Sequence, residues 1–274
     1  MEKEIELKDK SNEAKVKVNI WMILTYFIIY SIIGFVLETI FGILTKGVLE
    51  SRKGFLYGPF CPIYGLGAVV MIFSLKKFTK NNYILFTAGA IVGSIVEYLV
   101  SFFGEVLFNT KWWDYSDQIL NINGRVCLSF ALMWGILSIY LMQHFNPKVD
   151  KFITNIKGRA KNNVLKISIC IVSIFLLLDM MITCVSVKVF YSRIIYTYDL
   201  DVANKEVFIQ SYEKLKANTK KYNLYNKVFG DEFMLKTFPN LKIQTKNKNI
   251  VYVRDLLSDI SPYYIKLFTP KYNK

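Results

Sequence analysis

Charge is nearly absent from several long apolar runs of this chain and crowded between them. That segregation limits the fold more than any other feature. A stretch of about 18 or more apolar residues reads as a bilayer span, since it can cross about 30 Å of hydrocarbon at ~1.5 Å per residue. Five segments qualify: Ile20–Leu44, Tyr57–Leu75, Tyr83–Leu107, Val126–Phe145 and Leu165–Val189. The second opens with Pro59 and Pro62, which suit a first helical turn, but it also carries Gly65 and Gly67. A re-entrant segment is the alternative there. The expected fold class is an all-α integral membrane protein. It is a bundle of about five transmembrane helices over residues 20–189, preceded by a polar tail, 1–19, and followed by a basic, mostly helical extramembrane region, 190–274.

This pattern excludes an ordinary soluble enzyme. Four scattered cysteines exclude a disulfide-rich secreted domain. His144, the single histidine, leaves little scope for triad or metal chemistry, so no enzymatic activity, metal or cofactor is expected. Cys61 and Cys127 lie at the same ends of two spans, and a disulfide between them competes with two free buried thiols. Cys170 and Cys184 read as packing.

Sidedness follows from basic residues beside the spans. The N-terminal tail and the second and fourth connections hold most of them, including Lys76, Lys77, Lys80, Lys148, Lys151 and Lys157. The first and third connections hold Lys46, Arg52, Lys53, Lys111 and Arg125. The N-terminus is therefore expected in the cytoplasm, in a multi-pass cell-membrane protein whose first span acts as a signal anchor. The C-terminal tail is expected outside. Asn146-Pro147 is expected to end the fourth span. The tail repeats apolar residues at helical spacing (Val207, Phe208, Tyr212, Leu215) and suggests a small helical module or interfacial helices.

Ionisable side chains at membrane depth are costly, and each needs a partner. Glu38 lies in the first span with Gly34 and Gly42 one turn to either side. The third span carries Gly89, Gly93, Glu97, Ser101 and Glu105 at fourfold spacing, one face of a helix. Small residues let backbones approach closely, so both stripes should face protein and could face each other. Asp179 lies at a similar depth in the fifth span. Arg52 and Arg125 precede the second and fourth spans, and an acid–arginine cluster is the expectation. Packing seams held by structural ion pairs are the plainer reading.

The two connections on that side are rich in Trp, Tyr, Pro and Gly at once. Such loops look folded, with turns set by Gly and Pro and aromatics at the membrane face. Tyr57, Trp113 and Asp114 join Glu38, Arg52, Glu97 and Arg125 as candidate substrate-binding residues. A rigid structural cap would use the same composition.

These motifs carry a family resemblance. Gly54-Phe55-Leu56-Tyr57-Gly58-Pro59-Phe60-Cys61-Pro62-Ile63-Tyr64-Gly65, Glu97-Tyr98, Trp112-Trp113-Asp114-Tyr115-Ser116 and Asn121-Ile122-Asn123-Gly124-Arg125 occur in this order. Over roughly Gly34 to Leu141 the chain resembles the bacterial family named putative ABC-transporter permeases of type IV, the CmpB-like proteins. Phe229-Gly230-Asp231-Glu232-Phe233 and Phe238-Pro239-Asn240 resemble the tail of its longer members. The resemblance implies an integral membrane subunit of an exporter or importer and supplies no substrate. The chain contains no G-x-x-x-x-G-K-[ST] loop, so a transporter of this kind needs a separate ATPase subunit, met on the second or fourth connection. Five spans would also favour a homo- or hetero-oligomer.

Partners beyond the lipid bilayer are thus an ATPase and further membrane subunits, with no nucleic acid. The competing function is a non-transporting scaffold or sensor that binds lipid, envelope polymer or a protein.

Overall fold

The structure is a computed structural model and describes residues 19–108, 113–159, 162–247, 249–260 and 264–269. The N-terminal tail, apart from Asn19, and Lys111 and Trp112 lie outside the described residues.

Helix α1, Ile20–Lys46, starts at Asn19, whose side chain accepts from the Trp21 N–H, and ends at Gly47 with φ 67°. Strand β1, Val48–Leu49, follows. Helix α2, Pro62–Leu75, leads through a 3-10 turn, Lys76–Phe78, into α3, Asn82–Phe108. Helix α4, Leu128–Tyr140, passes through a π-helical turn, Leu141–Phe145, into α5, Asn146–Arg159. Helix α6, Asn162–Thr197, has 36 residues.

Among the described residues, four helical stretches are long and apolar enough to cross a membrane: Ile20–Lys46, Asn82–Val106, Leu128–Gly158 and Asn163–Thr197. The expected count of about five is corrected at the second segment. Helix α2 has 14 residues, about 21 Å of rise, too little to cross alone, so this segment reaches the far side only together with the irregular stretch before it. Pro59 and Pro62 supply no N–H, and Gly58 sits at φ 72°, so the helix cannot extend backwards from Pro62.

The chain before α2 is irregular but buried, with Phe55, Leu56, Phe60 and Cys61 all at 9% exposure or less. Non-helical backbone is tolerated at such depth only where protein satisfies it. The Cys61 N–H donates to the Ser31 carbonyl of α1 (2.9 Å), and Gly54 N–H to the Phe60 carbonyl (2.9 Å).

The fourth span also departs from expectation. The helix does not stop at Asn146-Pro147 but continues as α5. The wide π turn just before Pro147 takes up the mismatch that a proline ring creates in a regular helix. Val149 and Ile153 of α5 then join the bundle core with Tyr26, Met71 and Leu85.

The small-residue stripes do not meet each other. Each is filled by the next helix in sequence: Tyr64 of α2 lies over Gly34, and Trp134 and Ser138 of α4 lie over Gly93 and Gly89. The bundle is two hairpins, α1–α2 and α3–α4, joined through α2 and α3 and flanked by α6. A side chain at Gly93 would strike the Trp134 ring. Gly93→Leu should therefore cost about 1–3 kcal/mol of stability, read as a lowered thermal midpoint in detergent.

Residues 187–195 of α6 run out of the bundle into a second core with Val202, Phe208, Met234, Leu235, Ile243 and Val253. This module contains α7, Lys205–Ala217, α8, Thr219–Val228, and α9, Asp231–Thr237. A hairpin of β2, Lys242–Gln244, and β3, Ile250–Tyr252, with α10, Val253–Leu256, completes it. Sequence periodicity indicated its helices but not its strands. The last strand, β4, Ile265–Lys266, pairs antiparallel with β1 and straps the module to the end of α1.

Candidate functional site

The first hairpin holds three of the expected site residues. Glu38 accepts from the Tyr64 hydroxyl at 2.6 Å. Arg52 lies over Gly42, one turn further along α1, where any side chain would strike its guanidinium. Its ion pair is with Glu50, at 2.7 Å, not with Glu38. Tyr57 is 40% exposed, and its backbone N–H donates to Asp179 of α6 at 3.1 Å. The adjacent Leu56 N–H donates to the Thr183 hydroxyl at 3.0 Å. Asp179 and Thr183, buried on consecutive turns of α6, thus serve the loop's backbone.

The second hairpin holds the other four. Glu97 is 7% exposed and accepts from the Tyr115 hydroxyl (3.1 Å) and the Trp134 indole N–H (3.0 Å). Tyr115 stacks on Phe130 with ring centroids 4.4 Å apart. Burial raises the Tyr115 phenol above its ordinary pKa, and the nearby Glu97 carboxylate adds to this.

Arg125 pairs with Glu105 at 2.5 Å and lies over the rings of Tyr98 and Phe102. The Trp113 indole donates to the Arg125 carbonyl (2.9 Å), and the Asn123 amide donates to the Tyr98 hydroxyl (2.9 Å). Asp114 accepts from the Ser116 N–H and hydroxyl beside Gly124, whose φ of 67° leaves no room for a side chain. The loop is a folded lid on α3.

The expected acid–arginine cluster is therefore corrected in its pairing. Glu38, part-buried, and Glu97, buried, meet neutral donors, and the two arginines meet Glu50 and Glu105. The seven candidates fall into two groups, one per hairpin. Among the described residues, no hydrogen bond or ion pair joins Glu38 to Glu97.

Sequence reasoning missed Glu50 altogether. It is 6% exposed and receives Lys46 (3.1 Å), Arg52 (2.7 Å) and the Asn240 amide of the module (3.0 Å). Burial alone would raise its carboxyl, but these donors hold it below its ordinary range. The one signal was Asn240 in the tail motif. Also unforeseen is a network at the opposite end of the bundle. Tyr26 donates to Asp150, Asn146 donates to Asp150 (3.1 Å), and Tyr30 donates to Asn146 (3.0 Å). It borders a cavity of about 240 Å³ between α1, α2 and α5. Of the two readings open for Cys61 and Cys127, a disulfide or two free buried thiols, the structure has the second.

A family profile described as Putative ABC-transporter type IV matches residues 25–184. The match begins within α1 and ends within α6, so it takes in both hairpins and stops short of the module. No curated protein and no solved structure matches the chain.

Proposed function

Because the chain belongs to the family of putative ABC transporters of type IV, we propose that it is the membrane-embedded component of a transport system, with polar sites between its helices. The observation that carries this reading is the irregular Gly54–Cys61 segment beside the Glu38–Tyr64 pair. Membrane proteins place non-helical backbone at depth where it is buried in protein or lines a path for a solute. Glu38 and Glu97 suit such a path chemically. Each is held by hydroxyl or indole donors, so each can turn to a cationic or hydrogen-bonding solute without stranding a buried cation. Arg52 lies one turn of α1 from the first acid, over Gly42, while the Tyr57 ring lies against Phe233 of the module; Trp113, Asp114 and Arg125 belong to the loop whose Tyr115 reaches the second acid.

The basic-residue bias supports a cytoplasmic position for the end bearing Lys76, Lys77 and α5, with the module outside. Helix α5 buries its apolar face in the bundle and leaves Lys148, Lys151 and Phe152 exposed. That face suits an ATPase subunit with an acidic surface. Membrane pull-down with this chain as bait should recover a P-loop ATPase. Lys148→Glu with Lys151→Glu should cut recovery by about tenfold or more. Recovery of other proteins but no ATPase would favour the scaffold reading. With a substrate in hand, Glu38→Gln and Glu97→Gln should each lower proteoliposome transport about tenfold or more while the protein stays folded. Unchanged transport would remove these acids from the path.

A further inference from the structure

We infer that the C-terminal module lies flat on the anionic surface of the bilayer that the bundle spans, held by α8 on one side and by the β4 strap on the other. The level of the bilayer edge can be read on α6. Its exposed apolar stripe runs from Val164 (56% exposed) to Val185 (62%). That stripe covers about 32 Å, close to the thickness of a hydrocarbon core. From Val187 onward, α6 turns its apolar residues into the module core. Ser186 therefore marks the edge.

Helix α8 sits at that mark, because the Tyr225 hydroxyl donates to the Ser186 carbonyl at 2.7 Å. At about 100° per residue, Tyr225, Val228 and Leu224 share roughly one quadrant of α8. Leu224 is 63% and Val228 41% exposed; Lys220 and Lys227 border them, and Lys221 lies on the same face one turn before Leu224. An exposed apolar stripe edged with lysines suits the boundary between acyl chains and anionic headgroups.

The strap gives the same picture on the other side. The Leu267 and Phe268 N–H groups donate to the carbonyl of Gly47, the residue that ends α1. Leu44, one turn earlier, is 67% exposed. Ile265 (62%), Leu267 (50%) and Phe268 (44%) extend that apolar surface beyond the helix, beside Lys266. Two separate segments of the module thus present apolar groups and lysines where the spans leave the membrane. The contact is independent of whether anything is transported.

The test is nitroxide accessibility in the full chain, with Cys170 and Cys184 replaced by Ala. Labels at Leu224→Cys and Phe268→Cys are compared with one at Lys214→Cys. Lys214 belongs to α7, which packs through Tyr212 on Tyr196 of α6, about 15 Å beyond Ser186. In phosphatidylglycerol vesicles the first two labels should favour oxygen over a water-soluble nickel chelate, and the third the reverse. In phosphatidylcholine vesicles the preference should fall about fivefold or more, as each lysine near an anionic surface contributes about that factor. Lys220→Glu with Lys221→Glu should lift the label at position 224 in the same way. Labels at 224 and 268 as water-exposed as that at 214, or a preference unchanged by lipid charge, would overturn the proposal.

Discussion

Glu50→Ala should release the module from the end of α1 and cost about 3 kcal/mol of stability. The residue brings together Lys46, Arg52 and Asn240, and its own side chain is 3% exposed. Without it Arg52, whose side chain is 17% exposed, keeps its charge but loses the ion pair it makes among the described residues. The pair with Lys46 adds less, because that side chain is 44% exposed and screened by solvent. The loss should appear as faster proteolysis between Thr197 and the β2–β3 hairpin and as a lower thermal midpoint. Asn240→Ala, which removes one hydrogen bond and no charge, should cost about 1 kcal/mol.

The same docking should respond to pH. Glu50 titrates below its ordinary range in the folded state, so its contribution is present above the unfolded pKa of about 4.3. It is lost as pH falls through the lower folded value. Proteolysis by an acid-active protease should therefore accelerate below about pH 4 in the wild type. In Glu50→Ala, cleavage by a protease active at neutral pH should already be fast at about pH 7. An unchanged acid response in that variant would assign the transition to other carboxylates.

Asp179→Ala should open the buried loop. The substitution leaves the Tyr57 N–H without its acceptor and removes one partner of the Thr183 hydroxyl. An unsatisfied buried donor costs about 1–3 kcal/mol, so a local opening of Gly54–Cys61 should become about 30-fold more frequent. Cys61 reports it directly, as a free thiol that is 9% exposed. Its maleimide labelling, followed by mass spectrometry of its own peptide, should accelerate by about that factor. Asp179→Asn keeps an acceptor oxygen and should change the rate by less than about fivefold. Equal acceleration in both variants would show that charge, not the hydrogen bond, holds the loop.

These predictions mark the boundary between what could be read and what could not. The helical membrane class was legible because hydrocarbon admits few backbone solutions, and a long uncharged run satisfies one of them locally. The stripes Gly34–Glu38–Gly42 and Gly89–Gly93–Glu97 were legible as protein-facing, since helical spacing fixes which residues share a face. Which partner fills that face was not, because it depends on residues such as Tyr64 and Trp134 on other helices. The shortened α2 was only half legible. Pro59 and Pro62 signalled irregularity, but the acceptors that make it tolerable, Asp179 and Thr183, lie more than a hundred residues away.

The amino-acid order alone thus settled a multi-pass helical bundle, the small and acidic faces within it and the family to which it belongs. Tertiary structure decided that Glu38 and Glu97 rest on phenol and indole donors, that Arg52 and Arg125 go to Glu50 and Glu105, and that Asn240 reaches back to the first connection. The physical reason is one of range. Periodicity and hydropathy are set by neighbours three or four residues apart, whereas the partner of a buried charge is whichever group the packed helices bring within about 3 Å of it.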